Sequence, residues 1–255
     1  MGEHILKELN DGILTITINR PAKKNALTLA MYEDLCMAYK ELGENPEARV
    51  MVLTGVEDCY TSGNDIIDFL QNPPTGPDAP VARFLQALLN AEKPVIMAVN
   101  GLAVGVGTTM LLHADFVYAS IDAKFSMPFV NLALVPEAGS SKILRDMIGH
   151  RKAAELLMLG EAFGPEVAKD CGIINDFFAS DDLMKNVMEV ALKLAAKPPE
   201  ALRITKKLIK TDNGTVAETL AIEGKIFHER LTSPEAMEAM QGFVERRAPD
   251  FSKFK

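Results

Sequence analysis

Cysteine is scarce in this sequence and badly spaced for any covalent or metal framework. Cys36, Cys59 and Cys171 are odd in number and far apart, which argues against a disulfide scaffold or a paired-ligand metal site and suits a reducing compartment. Basic charge is short as well. Against 35 Asp and Glu there are 27 Lys and Arg, a net −8, with the basic residues scattered. A phosphate backbone needs a clustered positive surface, so nucleic-acid binding is disfavoured. No window reaches the ~18 consecutive apolar residues that a membrane span needs. The opening residues, MGEHILKELNDG, lack the basic, apolar, small-residue order of a secretory leader. The final FSKFK is not a Ser-Lys-Leu type peroxisomal ending. Together these absences predict a cytoplasmic protein that binds no membrane, no nucleic acid and no metal.

What is present supports one sizeable core, since 48% of the 255 residues are apolar and low-complexity tracts are missing. Four short apolar runs read as strands: Ile13–Ile18, Val50–Thr54, Val95–Val99 and Phe116–Ala119. The first alternates apolar residues with Thr, so one face is wetter; the second and third read as buried on both faces. Between them, Thr28 is placed to cap a helix whose apolar stripe is Met31, Leu35, Ala38, Tyr39 and Leu42. A second helical pattern, Val81–Leu89, follows a Pro/Gly-rich loop over 72–80. Strands alternating with helices imply an α/β fold with a largely parallel sheet. After Ser140 the pattern is helical, in segments 140–148, 151–159, 181–195, 198–210, 215–230 and 234–247. The expected organisation is an α/β core over 1–197 and a helical region over 198–255, divided near Lys197-Pro198-Pro199.

Three places carry residues suited to chemistry. In DCYTSGNDIIDFL (58–70), Gly63 allows close backbone approach and positive φ, so an amide can be presented to a ligand. Asp65 is placed to cap the helix that follows. The same residues also suit a plain strand-to-helix turn. In VNGLAVGVGTTMLLHAD (99–115), glycines at 101, 105 and 107 flank a helix start near Val106, whose unpaired N–H groups suit a developing oxyanion. The glycine spacing fits neither a Walker loop nor a dinucleotide fingerprint, and tight helix–sheet packing would want glycine too. In MPFVNLALVPEAGSS (127–141), Glu137 ends an apolar run, where a carboxylate has a raised pKa and serves as a base; it equally suits a solvated loop.

Taken together, two glycine-bearing amide donors after parallel strands and a carboxylate in a following loop resemble the crotonase (enoyl-CoA hydratase/isomerase) family. The resemblance runs through NRPAKKNAL (19–27), SGND, VNGLAVGVG and GFVERRAPDF (242–251). It implies a crotonase-like ββα spiral core with a helical C-terminal trimerisation region, and hence a homotrimer or homohexamer. It implies an acyl-CoA thioester substrate, with coenzyme A entering as part of that substrate and no separate cofactor. The thioester oxygen would sit between the amides of Ser62 and Val106. Lys24, Ala26, Gly63, Asn64, Asp65 and Ile66 would lie along the CoA, and Phe243 and Arg246 would reach it from a neighbouring subunit.

Departures from the family's hydratases narrow the chemistry. Where those enzymes resemble each other in carrying two glutamates, this chain has Thr109 and Phe129, and only Glu137 remains. TSGND and PEAGSS are similar to the peroxisomal-type Δ3,Δ2-enoyl-CoA isomerases, in which one acid moves a proton from C2 to C4 through a dienolate. Phe129, Leu132 and Leu134 are candidates for a dry pocket around it. His113 and Asp115 read as structural. The alternatives are a hydratase or thioester hydrolase on the same fold, or a non-catalytic acyl-CoA-binding protein.

Overall fold

The computed structural model describes residues 2–254. Among these, β1 (Ile5–Asn10) and β2 (Ile13–Ile18) form a hairpin turned by Asp11 and Gly12, both at positive φ (50° and 77°). An Asp-Gly pair in this left-handed form matches the twist of the strands it joins. β1 is absent from the sequence reading because Leu6, Lys7 and Glu8 all face solvent and give no alternation; the Asp-Gly pair was the available signal.

The chain continues through β3 (Val50–Gly55), β4 (Cys59–Thr61), β5 (Val95–Val99), β6 (Leu102–Val104), β7 (Phe116–Ser120), β8 (Lys124–Ser126) and β9 (Asp176–Phe178). A six-stranded sheet has the order β1-β2-β3-β5-β7-β9 and is parallel beyond its first pair. A smaller sheet, β4-β6-β8, is parallel throughout. Each of β3, β5 and β7 thus leaves the large sheet, bends, and continues as a strand of the small one. The bend is tight: a Cβ on Gly101 would lie 1.8 Å from the Asp58 carbonyl oxygen, so only glycine fits. The strands of the small sheet have three residues each, too few to show a period of two.

The helices are α1 (Leu29–Glu44), α2 (Ile66–Gln71), α3 (Pro80–Asn90), α4 (Val106–Thr109), α5 (Ser140–Ala154), α6 (Pro165–Asp170), α7 (Leu183–Ala195), α8 (Pro199–Lys210), α9 (Val216–Leu231) and α10 (Pro234–Glu245). α1 begins as expected, with the Thr28 hydroxyl accepting from the Met31 N–H at 3.3 Å, and it buries the predicted stripe. Gly149 (φ 77°, ψ 163°) interrupts α5, which accounts for two helical patterns on either side of it in the sequence.

The large sheet is covered on both faces. Ile13, Val50, Val52, Ile96 and Ala98 meet Leu183, Val187 and Ala191 of α7. Their neighbours in sequence, including Leu14, Met51, Leu53, Met97 and Val99, face the main core with α1 and α3. That is why β3 and β5 read as unbroken apolar runs. α8 is anchored by Lys206, a buried lysine whose Nζ donates to Asp115 Oδ2 and to the Lys93 carbonyl, each at 2.7 Å. Asp115 also accepts from the Val95 N–H at 2.8 Å, so it ties helix to sheet. Beyond α8, α9 buries no residue within the single chain. The strand-strand-helix repeat is the expected ββα spiral, followed by C-terminal helices.

Candidate active site

Two loops and one helix meet at the carboxyl ends of β4 and β6. The first loop, 19–27, is fixed by a residue that sequence reasoning passed over. Asn25 is fully buried with φ 55°. Its Oδ1 accepts from the Arg20 N–H at 2.8 Å, its Nδ2 donates to the Cys59 carbonyl at 2.6 Å, and its carbonyl accepts from the Thr61 hydroxyl at 2.7 Å. The asparagine thereby staples this loop to β4. One asparagine among the polar residues of NRPAKKNAL gives no sign of its burial in sequence.

The second loop carries Ser62-Gly63-Asn64-Asp65. Gly63 has φ 90°, and a Cβ there would meet the Val104 carbonyl oxygen at 2.8 Å, so this loop touches the end of β6 directly. The expected donor, Ser62, is already engaged: its N–H donates to the Lys24 carbonyl at 3.0 Å. The amide left over is two residues on. Leu27 forms a parallel bridge with Asn64, donating to the Gly63 carbonyl and accepting from the Asp65 N–H, each at 2.8 Å. In that pattern the N–H of Asn64 itself points away from Leu27, and it has no acceptor among the described residues. The Asn64 side chain is held by the Tyr32 hydroxyl, which donates to its Oδ1 at 2.5 Å.

Asp65 organises this turn. It caps α2 by accepting from the N–H groups of Ile67 and Asp68, and it pairs with the Arg20 guanidinium at 2.7 Å. The Arg20 bond, foremost, holds its carboxyl below the usual range. Arg20 also donates to the Ala26 carbonyl at 2.9 Å, joining the two loops.

The helix is α4, which starts at Val106 after Gly105. The Val106 N–H belongs to the first helical turn, where no intrahelical acceptor exists, and it has none among the described residues. Three residues further on, the Thr109 hydroxyl donates to Glu137 Oε1 in a short hydrogen bond. Glu137 is therefore beside the helix that starts at Val106. Burial raises its pKa from the ordinary carboxylate value, opposed by the bond from Thr109. Its charge also contributes, after burial, to pushing the Tyr32 hydroxyl far upward, so Tyr32 remains a donor. No hydrogen bond reaches Glu137 Oε2 among the described residues.

The remaining expectations divide. Phe129 is buried against Gly105, but Leu132 and Leu134 are 56% and 57% exposed and do not close a pocket in the single chain. They flank Ala133, which sits in the left-handed region (φ 54°). His113 is structural, with Nε2 bound to the Ala138 carbonyl at 2.7 Å. Lys24 is exposed and Ala26 partly so; Ile66 is exposed on α2. Phe243 and Arg246 stand exposed at the end of α10, which packs on α9.

Two uncommitted amides at neighbouring strand ends, with a desolvated carboxylate beside them, can hold a developing oxyanion while a proton is moved. The sequence model described as enoyl-CoA hydratase/isomerase matches residues 8–254. Rat "Enoyl-CoA delta isomerase 2" is 35% identical over 95% of this chain, which spans 64% of that relative's length. The "1,2-epoxyphenylacetyl-CoA isomerase" of Escherichia coli K12 is 32% identical, with 99% of each chain covered. The solved structure of Pseudomonas aeruginosa OdaA superposes with a TM-score of 0.81 at 45% identity, covering 96% of this chain and all of that one.

Proposed function

The chain belongs to the enoyl-CoA hydratase/isomerase family, and on that premise we propose that it shifts the double bond of a 3-enoyl-CoA to the 2-trans position. Glu137 removes a proton from C2. The electron pair passes to the thioester oxygen, giving a dienolate, and that oxygen lies between the N–H groups of Asn64 and Val106. The acid so formed returns its proton to C4. No atom is gained or lost, and no cofactor is needed beyond the CoA that the substrate carries.

The observation that carries this reading is the Thr109–Glu137 contact: it sets one raised-pKa carboxylate beside the helix that offers the Val106 amide. Each amide gains more from the enolate than from the ground-state carbonyl, and losing one such donor costs ~2.7–4 kcal/mol of barrier. Isomerisation needs one base, and Thr109 and Phe129 leave the site without the second carboxylate of the family's hydratases. The names of the rat and Escherichia coli relatives support the same class. Lys24, Ala26, Gly63 and Ile66 border the loops along which the CoA would run.

Supplying 3-enoyl-CoA and 2-enoyl-CoA separately tests this reading. The expected result is conversion of the first to the conjugated thioester with the second left unhydrated. Rapid addition of water to 2-enoyl-CoA, or release of free CoA from either, would replace it with the hydratase or hydrolase alternative.

The assembly is a homotrimer or homohexamer in this reading. α9 and α10 expose Val216, Leu220, Phe227, Met240 and Phe243, the last 86% exposed, an apolar surface larger than a lone chain retains in water. A second copy of the chain is its occupant, and Phe243 and Arg246 then reach the CoA of that copy. Light scattering is expected to give three or six chain masses, and Phe243→Asp to lower the mass. A wild-type protein that stays monomeric at micromolar concentration would remove this assignment.

A further inference from the structure

We propose that Thr109 is a positioning residue for Glu137, pinning Oε1 so that Oε2 alone carries the proton from C2 to C4. The inference rests on the reading of Glu137 as the base, and deepens it.

Both ends of the contact are rigid. Thr109 is fully buried, and its N–H donates to the Gly105 carbonyl at 3.0 Å. The adjacent Thr108 hydroxyl lies 2.7 Å from the Ala103 carbonyl and 3.1 Å from that of Ser126, fastening α4 to β6 and β8. The frame that sets the Val106 amide therefore sets the Thr109 hydroxyl too. On the other side, the Glu137 carbonyl accepts from the Ser140 N–H at 3.0 Å and from its hydroxyl at 2.7 Å. Ala138 and Gly139 follow at positive φ (53° and 70°), and His113 holds the Ala138 carbonyl at 2.7 Å. With the backbone fixed at both ends, the freedom left to the base is in its side-chain torsions. The terminal one is broad for a carboxylate, and the Thr109 bond restrains it.

The bond also acts on the proton. A hydroxyl donating to a carboxylate favours the charged form, against the burial that disfavours it. Before turnover it keeps Glu137 ready to accept. Once Oε2 is protonated, the carboxyl is a poorer acceptor, the bond weakens, and the acid becomes more ready to release its proton to C4. One hydroxyl thus serves both halves of the transfer. Threonine is well suited to hold it, because a β-branched side chain has few χ1 choices.

Thr109→Val keeps the shape and removes the donor, while Thr109→Ser keeps the donor. On 3-enoyl-CoA, Thr109→Val is expected to lower kcat about tenfold, the scale of a hydrogen bond to a charged group, with KM nearly unchanged. The acid limb of its kcat/KM profile is expected to move to higher pH, and Thr109→Ser to return the limb to the wild-type position. A Thr109→Val enzyme whose limb coincides with wild type would reduce Thr109 to core packing and overturn the inference. If Thr109→Val does not fold, the Glu137 carboxyl of Thr109→Ser and Thr109→Ala can be titrated by infrared difference spectroscopy, taking the band missing in Glu137→Gln. Equal titration in the two is the overturning result. Glu137→Gln separates the two readings. An inactive Glu137→Gln beside an unshifted Thr109→Val sinks this inference alone, whereas a fully active Glu137→Gln sinks the base assignment and this inference with it.

Discussion

Glu137→Gln is expected to turn over 3-enoyl-CoA about 10³-fold more slowly than wild type, within the range that a positioned acid–base group contributes. Glutamine keeps the size of the side chain and can still engage the Thr109 hydroxyl, so folding and KM should change little. What it cannot do is take the C2 proton. The pH dependence follows from the sign of the shift. Burial raises the Glu137 pKa, so the protonated, inactive form persists to higher pH than for an ordinary carboxylate. Wild-type kcat/KM should therefore climb with pH along an acid limb above the usual carboxylate range. Residual activity in the Gln variant should lack that limb. Steady-state kinetics on purified protein settle both points, and a Gln variant with wild-type kcat would contradict the mechanism outright.

The second large effect is expected at Gly63. A methyl group there faces two costs: φ is 90°, and the new Cβ would lie 2.8 Å from the Val104 carbonyl oxygen. That oxygen belongs to β6 backbone and cannot move aside without disturbing the small sheet. Backbone strain of this kind costs about 1–3 kcal/mol, which should appear as a lower thermal midpoint. The damage to catalysis should exceed what stability alone predicts. Forcing the 62–65 loop from β6 separates the Asn64 amide from that of Val106, and losing one oxyanion donor lowers kcat by about 10²–10³-fold. A Gly63→Ala protein that melts lower but keeps wild-type kcat would show that the two loops need not touch for turnover.

The parts of this fold legible in sequence are those where local pattern and tertiary burial agree. β3 and β5 lie between two covered faces and read as unbroken apolar runs, and α1 has both its cap and its stripe in plain view. The three-residue strands of the small sheet are set by pairing with neighbours far away in the chain, and no period can emerge from three positions. Glu137 was singled out in sequence through the family resemblance of PEAGSS, since the apolar run before it equally suits a solvated loop acid. The amide was not. Whether Ser62 or Asn64 presents its N–H depends on the register of the Leu27–Asn64 bridge, which neighbouring letters cannot reveal. The burial of Asn25 and the bond from Thr109 to Glu137 went unread for the same reason: each rests on a partner at least 28 positions away.

One property of the small sheet reaches beyond this chain's own reaction. The two amide-bearing segments leave β4 and β6, which are adjacent hydrogen-bonded strands, so their gap inherits the ~4.8 Å ladder spacing common to all sheets. Under the proposed function, the clamp for the oxygen is in effect a ruler cut from backbone, indifferent to side-chain drift at its edges. Glu137 is placed by other means, a loop beyond β8 and the Thr109 hydroxyl, not by the strand spacing. A scaffold of this kind can exchange one proton-handling repertoire for another by relocating its acids, with the anion cradle carried over intact.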